Sequence, residues 1–579
     1  MQFAAVLLAV VLALPTVLAA GSGGEMVRVG LAYGSGALVN ANLENNTGYG
    51  SGYRMGYFDD DLDFVELART DEDETQITMV KTQNVWVNGS SYSTSDNGGE
   101  AIGCYHVLVG SGYRSYEEAA AAADGYADGF VAWVDGDYQV RAGSYTSESA
   151  AQSAASSYGG TVAGTSSYGV NVTRTGSAEI LFQFDGGADL ALGVMPDVTG
   201  ADAVRTWFKG YRYYGGFRYE RISGGNLTVV NIVDLETYIK GVIPYEMSNS
   251  WPLEALKVQA VCARSYAYVN IQSNKHTSYH FDVCNSTDCQ VYYGAGANSS
   301  SYQANDRTDQ AVDETAGEYA WYNGQVIEAL YSSSHGGASE SVYNVWGSSL
   351  ERYPYLCGVS DPYEADMASK NSYSSWTVSY SSSELAQRLQ NYGYNTSSGI
   401  ASLTLTYSDL GNVIQVRVNY NNGESNTIKP SSTYGIRTSF GVHSIRFTVN
   451  GQGASSGSSS GSAGGGGIAV NGSSSLGSQD SYTVISGSGT QSQVSLDGLY
   501  AISGSGSIAP AGDGTSSGGS GTGTPSGTQV TVSGSSYTFQ GSGYGHQLGL
   551  SQYGAWAMAE RGFSYDEIIE FYYPGTYVR

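Results

Sequence analysis

The sequence predicts an α+β, β-rich protein of several domains, and three observations lead there. Of 579 residues, 79 are Gly and 48 are Tyr, while only 14% are charged. That balance favours strands and turns over helical bundles. A strand–turn–helix pattern occurs twice between residues 104 and 173. Beyond it, short strand-like runs alternate with turns and hold one strong amphipathic helix. A chain of this length supports several domains and at least one large core.

The chain begins MQFAAVLLAVVLALPTVLAAGSGG. Residues 3–20 are apolar, interrupted by Pro15 and followed by small residues. Residues 1–20 therefore read as a secretory signal peptide with cleavage near Ala20, or as an uncleaved membrane anchor. The run is nearly long enough to span a bilayer, and it lacks the usual Lys or Arg at its start. Either reading places the rest outside the cytoplasm, secreted or in the cell envelope. Membrane contact is expected only through this segment, if it stays uncleaved. Residues 21–103 open on the strand-like VRVGLAYG and then run polar and glycine-rich, and no chemistry can be placed there.

Residues 104–173 contain an internal repeat. Tyr105-His-Val107 followed by Gly110-Ser111 recurs as Tyr138-Gln-Val140 followed by Gly143-Ser144. An alanine-rich helical run follows each copy, EEAAAAADGY and SESAAQSAASSY, and then a short strand, FVAWV and YGVNV.

Residues 175–450 alternate strands and turns around the amphipathic helix. Its buried face is Leu253, Leu256, Ala260, Ala263 and Ala267, and Pro252 suits its first turn. Just before it lies GVIPYEM. There Glu246 is flanked by Ile243, Pro244, Tyr245 and Met247. A carboxyl among such neighbours is partly desolvated and is expected to hold its proton near neutral pH, as a general acid must. A helix-capping or surface glutamate reads the same way from this residue alone. Residues 451 to about 528 are dominated by Gly and Ser and read as a flexible insertion. The 45 or so residues after it are too few for a core of their own, so they are expected to complete the preceding domain.

The net charge of -27 excludes nucleic-acid binding through a general field. The five cysteines are Cys104, Cys262, Cys284, Cys289 and Cys357, a poor disulfide framework. His280, Cys284 and Cys289 form H-x3-C-x4-C. Three such ligands with water or one further side chain can hold Zn2+; a Cys284–Cys289 disulfide or two free thiols use the same residues. No organic cofactor is implied.

Four segments together resemble the stage II sporulation protein D (SpoIID/LytB) family. They are VVNIVDLETYIKGVIPYEMSNSWPLEALKVQAVCARSYA, FDVCNSTDCQVYYG, YSSSHGGASESVYNVWG with PYLCGVSDPY, and GYGHQLGLSQYGAWAMAERGFSYDEIIEFYYPGT. They mark residues 175–579, apart from the insertion, as a SpoIID-like domain. The repeat at 104–173 resembles the SPOR domain, a βαβ-βαβ module that binds glycan strands stripped of stem peptides; a structural α+β spacer is the other reading. The family resemblance implies a peptidoglycan-active protein. One form is a lytic transglycosylase that cuts MurNAc–GlcNAc bonds in strands lacking stem peptides, leaving a 1,6-anhydro product. The other is a non-enzymatic enhancer of a cell-wall amidase. The implied partners are glycan strands and such an amidase.

The first form assigns Glu246 as the single general acid/base. Glu236, in the strand-like VDLETY, and Glu254, in the first turn of the helix, have structural roles as the better reading. Arg264, Ser334, His335, His546, Gln552 and Tyr553 are the candidate substrate-binding residues, set by their place in the motifs. Some members of the family look to carry a metal at the position of His280, Cys284 and Cys289. Many also have His just before the second Cys, where Asp288 stands here; His276 is a candidate substitute.

Overall fold

A computed structural model describes residues 25–45, 51–197, 205–273, 275–297, 303–453 and 527–579, with six short strands between 468 and 510. The expected signal or anchor at 1–20 lies outside the described residues, as does the Ser/Gly insertion apart from those strands. The fold is mixed α/β and strand-rich. Among the described residues no helix is long and apolar enough to cross a membrane.

The chain divides into two units. The first is Met1–Asn249 with Ala267–Gly317, the second Ser250–Tyr266 with Glu318–Arg579. The expected boundary near residue 175 is therefore not where the chain divides. The reason is strand pairing. Gly129–Val134 pairs in parallel with Ile180–Asp185, so the sheet of the repeat runs on through residues beyond it.

In the first unit the repeat folds as Tyr105–Tyr113, helix α1 (Tyr116–Ala123), Gly129–Val134, Asp137–Tyr145, helix α2 (Glu148–Tyr158) and Thr161–Gly164. Its strands lie in the order fourth, first, third, second, each antiparallel to its neighbour. Ser115 and Ser147 accept hydrogen bonds from the backbone N–H of Glu118 and Ala150, which starts both helices. The faces they bury are alanines four apart, Ala119 with Ala123 and Ala151 with Ala155, which let a helix approach a sheet closely. The closing strand of the second copy is Thr161–Gly164, not YGVNV. Gly159, left-handed at φ 69°, ends α2 and returns the chain at once. Thr161 then pairs with Leu108 and fills the edge before YGVNV is reached. Val170–Arg174 pairs instead with Ile180–Asp185 and Gln76–Lys81.

The resulting ten-stranded sheet ends at Thr206–Phe208 and Tyr211–Tyr213. A buried chain of hydrogen bonds crosses it. His106 Nδ1 donates to the Gly143 carbonyl (2.7 Å), Gln183 Nε2 meets His106 Nε2 (3.1 Å) and Asn171 Oδ1 (2.7 Å), and Arg141 donates to Gln183 Oε1 (2.6 Å). Burial holds the His106 imidazole neutral, its pKa lowered to about 4.

A seven-stranded sheet completes the unit. In it Met26–Ala32 lies between Thr228–Asp234 and Val283–Cys284. Thr228–Asp234 leads directly into helix α3 (Leu235–Glu246). Helix α4 (Leu253–Ile271) follows, and helix α5 (Asp306–Asp313) packs against α3, with Lys240 2.7 Å from Asp313.

In the second unit, four sheets recruit strands from the last fifty or so residues of the chain, Tyr577–Val578 joining Ala320–Tyr322. Thr528–Val532 pairs with Ile400–Tyr407, and Ser536–Gly541 with Trp376–Ser381 and Phe447–Val449. Leu550–Ser551 pairs in parallel with Tyr331–Ser332.

Candidate functional site

Glu246 owes its position to the ends of α3. Asp234 accepts from the Thr237 N–H at 3.0 Å and fixes the start. Met247 is extended (φ -134°, ψ 141°), which stops the helix and makes Glu246 its last residue, half-buried. Glu236 lies in the first turn of α3 rather than in a strand, because Asp234 caps there; its carboxylate accepts from the Gly317 N–H at 3.0 Å. Glu254 accepts from the Tyr565 N–H at 2.9 Å and lies 3.0 Å from Lys257.

Residues 289–296 run along α3. Tyr238 donates to Gln290 Oε1 at 3.1 Å, and the Tyr292 hydroxyl donates to Asn231 at 2.8 Å. The Tyr292 ring lies 4.8 Å from that of Tyr238. Gly241 makes this approach possible, since a Cβ there would stand 2.5 Å from the Tyr292 ring. One residue on, Tyr293 reaches Tyr245, the neighbour of Glu246, with ring centroids 5.0 Å apart. Its other contact is Tyr211, stacked at 4.3 Å and 19°. All three tyrosines are half-buried. Burial first, and then the Tyr211 and Tyr293 phenols, push the Tyr245 phenol up to about 12.

The cysteine loop begins at the far end of the same segment. His276, Cys284, Asp288 and Cys289 bring one donor atom each within 4.8 Å of one another. His276 Nε2 is 3.1 Å from Cys289 Sγ and 3.7 Å from Asp288 Oδ2, and Cys284 Sγ is 3.9 Å from Asp288 Oδ2. Zinc bonds of about 2.0–2.3 Å in a tetrahedron separate ligands by roughly 3.3–3.8 Å, so this N, O and two-S set fits the ion. The two thiols are free and not joined as a disulfide. A hydrogen bond from Cys289 holds Cys284 down at about 5, against the effect of burial, while Cys289 is pushed up. Lys275 also reaches Asp288 (3.2 Å) and Cys289 (3.4 Å).

His280 is not in this set. The short turn Thr277–Tyr279 rotates it away, into a left-handed conformation (φ 57°), and its Nδ1 meets Glu220 at 2.6 Å. His276, held against the Phe281 ring at 4.7 Å, stands in its place.

The other candidates belong to the second unit, and most are buried. Ser334 and His335 are fully buried, and Gln552 is nearly so. Arg264, also fully buried, donates to the Glu318 carbonyl at 3.1 Å. Side chains without open surface offer nothing for a sugar to touch, so these four are corrected from substrate contacts to buried side chains; Arg264 and Gln552 spend donors inside the protein, while among the described residues Ser334 Oγ and both His335 ring nitrogens find no hydrogen-bond partner. Glu364 explains the SHGG segment: it accepts from the N–H of His335 (2.8 Å) and Gly336 (2.9 Å) and from Ser551 Oγ (2.9 Å). Gln547 (φ 64°) donates to the His335 carbonyl at 3.0 Å and accepts from the Ile445 N–H at 2.8 Å. Gln552 donates to Gln259 at 3.2 Å. His546 and Tyr553 keep part of their surface. Tyr553 stacks on Trp556 at 5.9 Å and meets Trp251 at 5.1 Å.

Sequence reasoning missed Glu364 and Tyr211 altogether. Glu364 carries no signal beyond its place after VSDPY, and Tyr211 none beyond an aromatic in a strand. Tyr245 and Tyr293, by contrast, lie inside quoted motifs.

The chain is similar to several known proteins. The chain is 33% identical over 240 residues to an uncharacterised protein of Brachyspira hyodysenteriae, covering 42% of this chain and 60% of that one. It is 31% identical over 338 residues to the amidase enhancer of Bacillus subtilis (58% of this chain, 40% of that one). It is 30% identical over 171 residues to the stage II sporulation protein D of the same organism (28% and 48%). The chain thus spans 40% to 60% of the length of these curated relatives. Residues 223–322, which carry Glu246 and the His276–Cys289 cluster, match the SpoIID family profile, described as "Stage II sporulation protein".

Proposed function

We propose that this chain is an extracytoplasmic lytic transglycosylase that cleaves MurNAc–GlcNAc bonds in glycan strands lacking stem peptides. The observation that carries the reading is Glu246, half-exposed at the end of α3 inside the SpoIID-matched stretch. Glu246 gives its proton to the glycosidic oxygen as the C1–O bond breaks. The resulting carboxylate takes the proton of the muramoyl C6 hydroxyl, whose oxygen bonds to C1 and closes the 1,6-anhydro ring. One carboxyl serves both steps and no water is consumed, unlike hydrolysis by paired acids.

His276, Cys284, Asp288 and Cys289 would hold Zn2+, and when bound the ion would clamp their loop and keep both thiols deprotonated. Residues 104–173 are read as a SPOR-like module for the same stripped strands, which would raise their local concentration at the enzyme. The repeat and its βαβ-βαβ order support this.

A second reading is favoured by the 338-residue similarity to the amidase enhancer: a non-enzymatic protein that binds peptidoglycan and assists a cell-wall amidase. Incubation of the full chain with amidase-treated sacculi separates the two. Anhydro-muramoyl fragments detected by mass spectrometry support the enzyme. Their absence, with faster amidase turnover on addition of the protein, supports the enhancer.

A further inference from the structure

The three tyrosines around Tyr293 come from three separate elements: Tyr211 from the end strand of the ten-stranded sheet, Tyr245 from α3, and Tyr293 from residues 289–296. Their convergence is built rather than incidental. Arg212 fixes the last of these elements on the first. Its backbone N–H and Nε donate to the Gly296 carbonyl at 3.1 and 3.2 Å, and its carbonyl accepts from the Ala295 N–H at 2.7 Å. Gly294, at φ 56°, allows the closeness, since a Cβ there would stand 2.4 Å from the Arg212 carbonyl. At the other end of the segment stands Cys289.

The deeper layer of the same contact is a packed core. Tyr213 and Tyr292, both almost fully buried, meet at 5.8 Å. The outer layer, Tyr211 with Tyr293, repeats that pairing at the surface with rings half-open. An outer layer that served packing alone would not need three half-open phenols beside one another. Pyranose rings present a face of C–H bonds to aromatic rings and hydroxyls to phenolic O–H groups, and this cluster offers both.

We infer that Tyr211, Tyr245 and Tyr293, gathered at the helix that ends on Glu246, form an aromatic subsite for one pyranose of a peptidoglycan glycan strand. The inference rests on the reading of this chain as a glycan-binding protein of the cell wall. It adds to that reading the side chains that grip the sugar. Tyr211 and Tyr293 are binding residues. Arg212 is a positioning residue that acts through the 289–296 segment.

The test uses the full chain carrying Glu246→Gln, so that strands are bound and not cut, and measures co-sedimentation with amidase-stripped sacculi. Tyr293→Ala and Tyr211→Ala in that background are expected to weaken binding about ten-fold each, and Tyr293→Phe to retain most of it. Tyr211 lies on a strand outside the 289–296 segment, so its variant stays informative if Tyr293→Ala fails to fold; near-UV circular dichroism checks both. Undiminished binding by a folded Tyr211→Ala or Tyr293→Ala protein overturns the subsite. So does a parent that does not bind the stripped sacculi. Failure of the transglycosylase reading shows separately, as absence of anhydro products from the unmutated chain while the tyrosine variants still lose binding.

Discussion

In the first unit the motifs end on side chains that keep part of their surface open: Glu246 at the end of α3, Tyr293 beside Tyr245, Asp288 and Cys289 in the cysteine loop. In the second unit equally distinctive motifs end mostly on side chains that are shut in, His546 and Tyr553 apart. Ser334, His335 and Gln552 are buried, and the loop GYGHQLG is pinned by Gln547. Motif membership therefore does not separate chemistry from scaffolding. Exposure does, and hydrogen-bond partners divide the buried side chains further: Gln547 spends its amide on backbone groups and holds a loop, whereas among the described residues Ser334 Oγ and both His335 ring nitrogens are buried without a partner. The comparison sets the proposed chemistry in the first unit and mostly closed motif residues in the second, and each side can be broken.

The largest effect is expected at Glu246. Glu246→Gln keeps the shape of the helix end and removes the proton. Anhydro-muramoyl release should fall by about two to four orders of magnitude with an unchanged melting curve. Cleavage within a few-fold of the parent would remove the one residue on which the proposed chemistry of the first unit depends.

Metal content sharpens the same side. His276→Ala should strip most of the zinc from protein purified without chelator, because it removes one of four donors. His280→Ala should leave the stoichiometry unchanged, since Glu220 and not the cluster holds that ring. Elemental analysis of the two variants reads this directly, and the opposite pattern would restore H-x3-C-x4-C as the ligand set.

Much of this was legible in the sequence, and the parts that were not share a cause. The α1 and α2 pattern could be read because Ser caps and alanines four apart are local signals. So could α4, whose apolar spacing is local as well. The helix ending at Glu246 was hidden, because VVNIVDLETY is apolar enough to pass for a continuous strand. Only Asp234, as its cap, marks the change from strand to helix. Which histidine joins the cysteines was hidden too, since the turn Thr277–Tyr279 decides it and spacing along the chain does not. The sheet that fuses residues 104–173 to Ile180–Asp185 is a long-range pairing with no local signature.

The closed side of the comparison can be broken at Glu364. Its carboxylate answers two backbone N–H groups and a serine hydroxyl in a buried setting. Glu364→Ala leaves those donors unsatisfied, at a cost of about 1–3 kcal/mol or more. Thermal unfolding should shift down by several degrees. A neutral result would mean that the SHGG segment is held by something else.

The smallest effect separates the units by pH. Burial holds His335 down at about 3 and His546 down at about 4, with the Arg446 guanidinium adding to the first and that of Arg437 to the second. Each imidazole is neutral in the fold and gains a proton on unfolding, near its ordinary value of about 6.5. The stability they allow is complete above that value and drains as pH falls toward about 4 and below, by up to about 1.4 kcal/mol per pH unit for each proton taken up. Asp361 and Glu364 act with the opposite sign. Burial raises both, so each carboxyl adds stability as pH falls through its raised value. The first loss, just below pH 6.5, belongs to the imidazoles of this unit and to His106 in the other. His546→Asn removes one of these protons, so the urea midpoint of the variant should fall less steeply than that of the parent between pH 6.5 and 5. Equal slopes would show that His546 already carries its proton in the fold, and the GYGHQLG loop would then be open to water rather than braced.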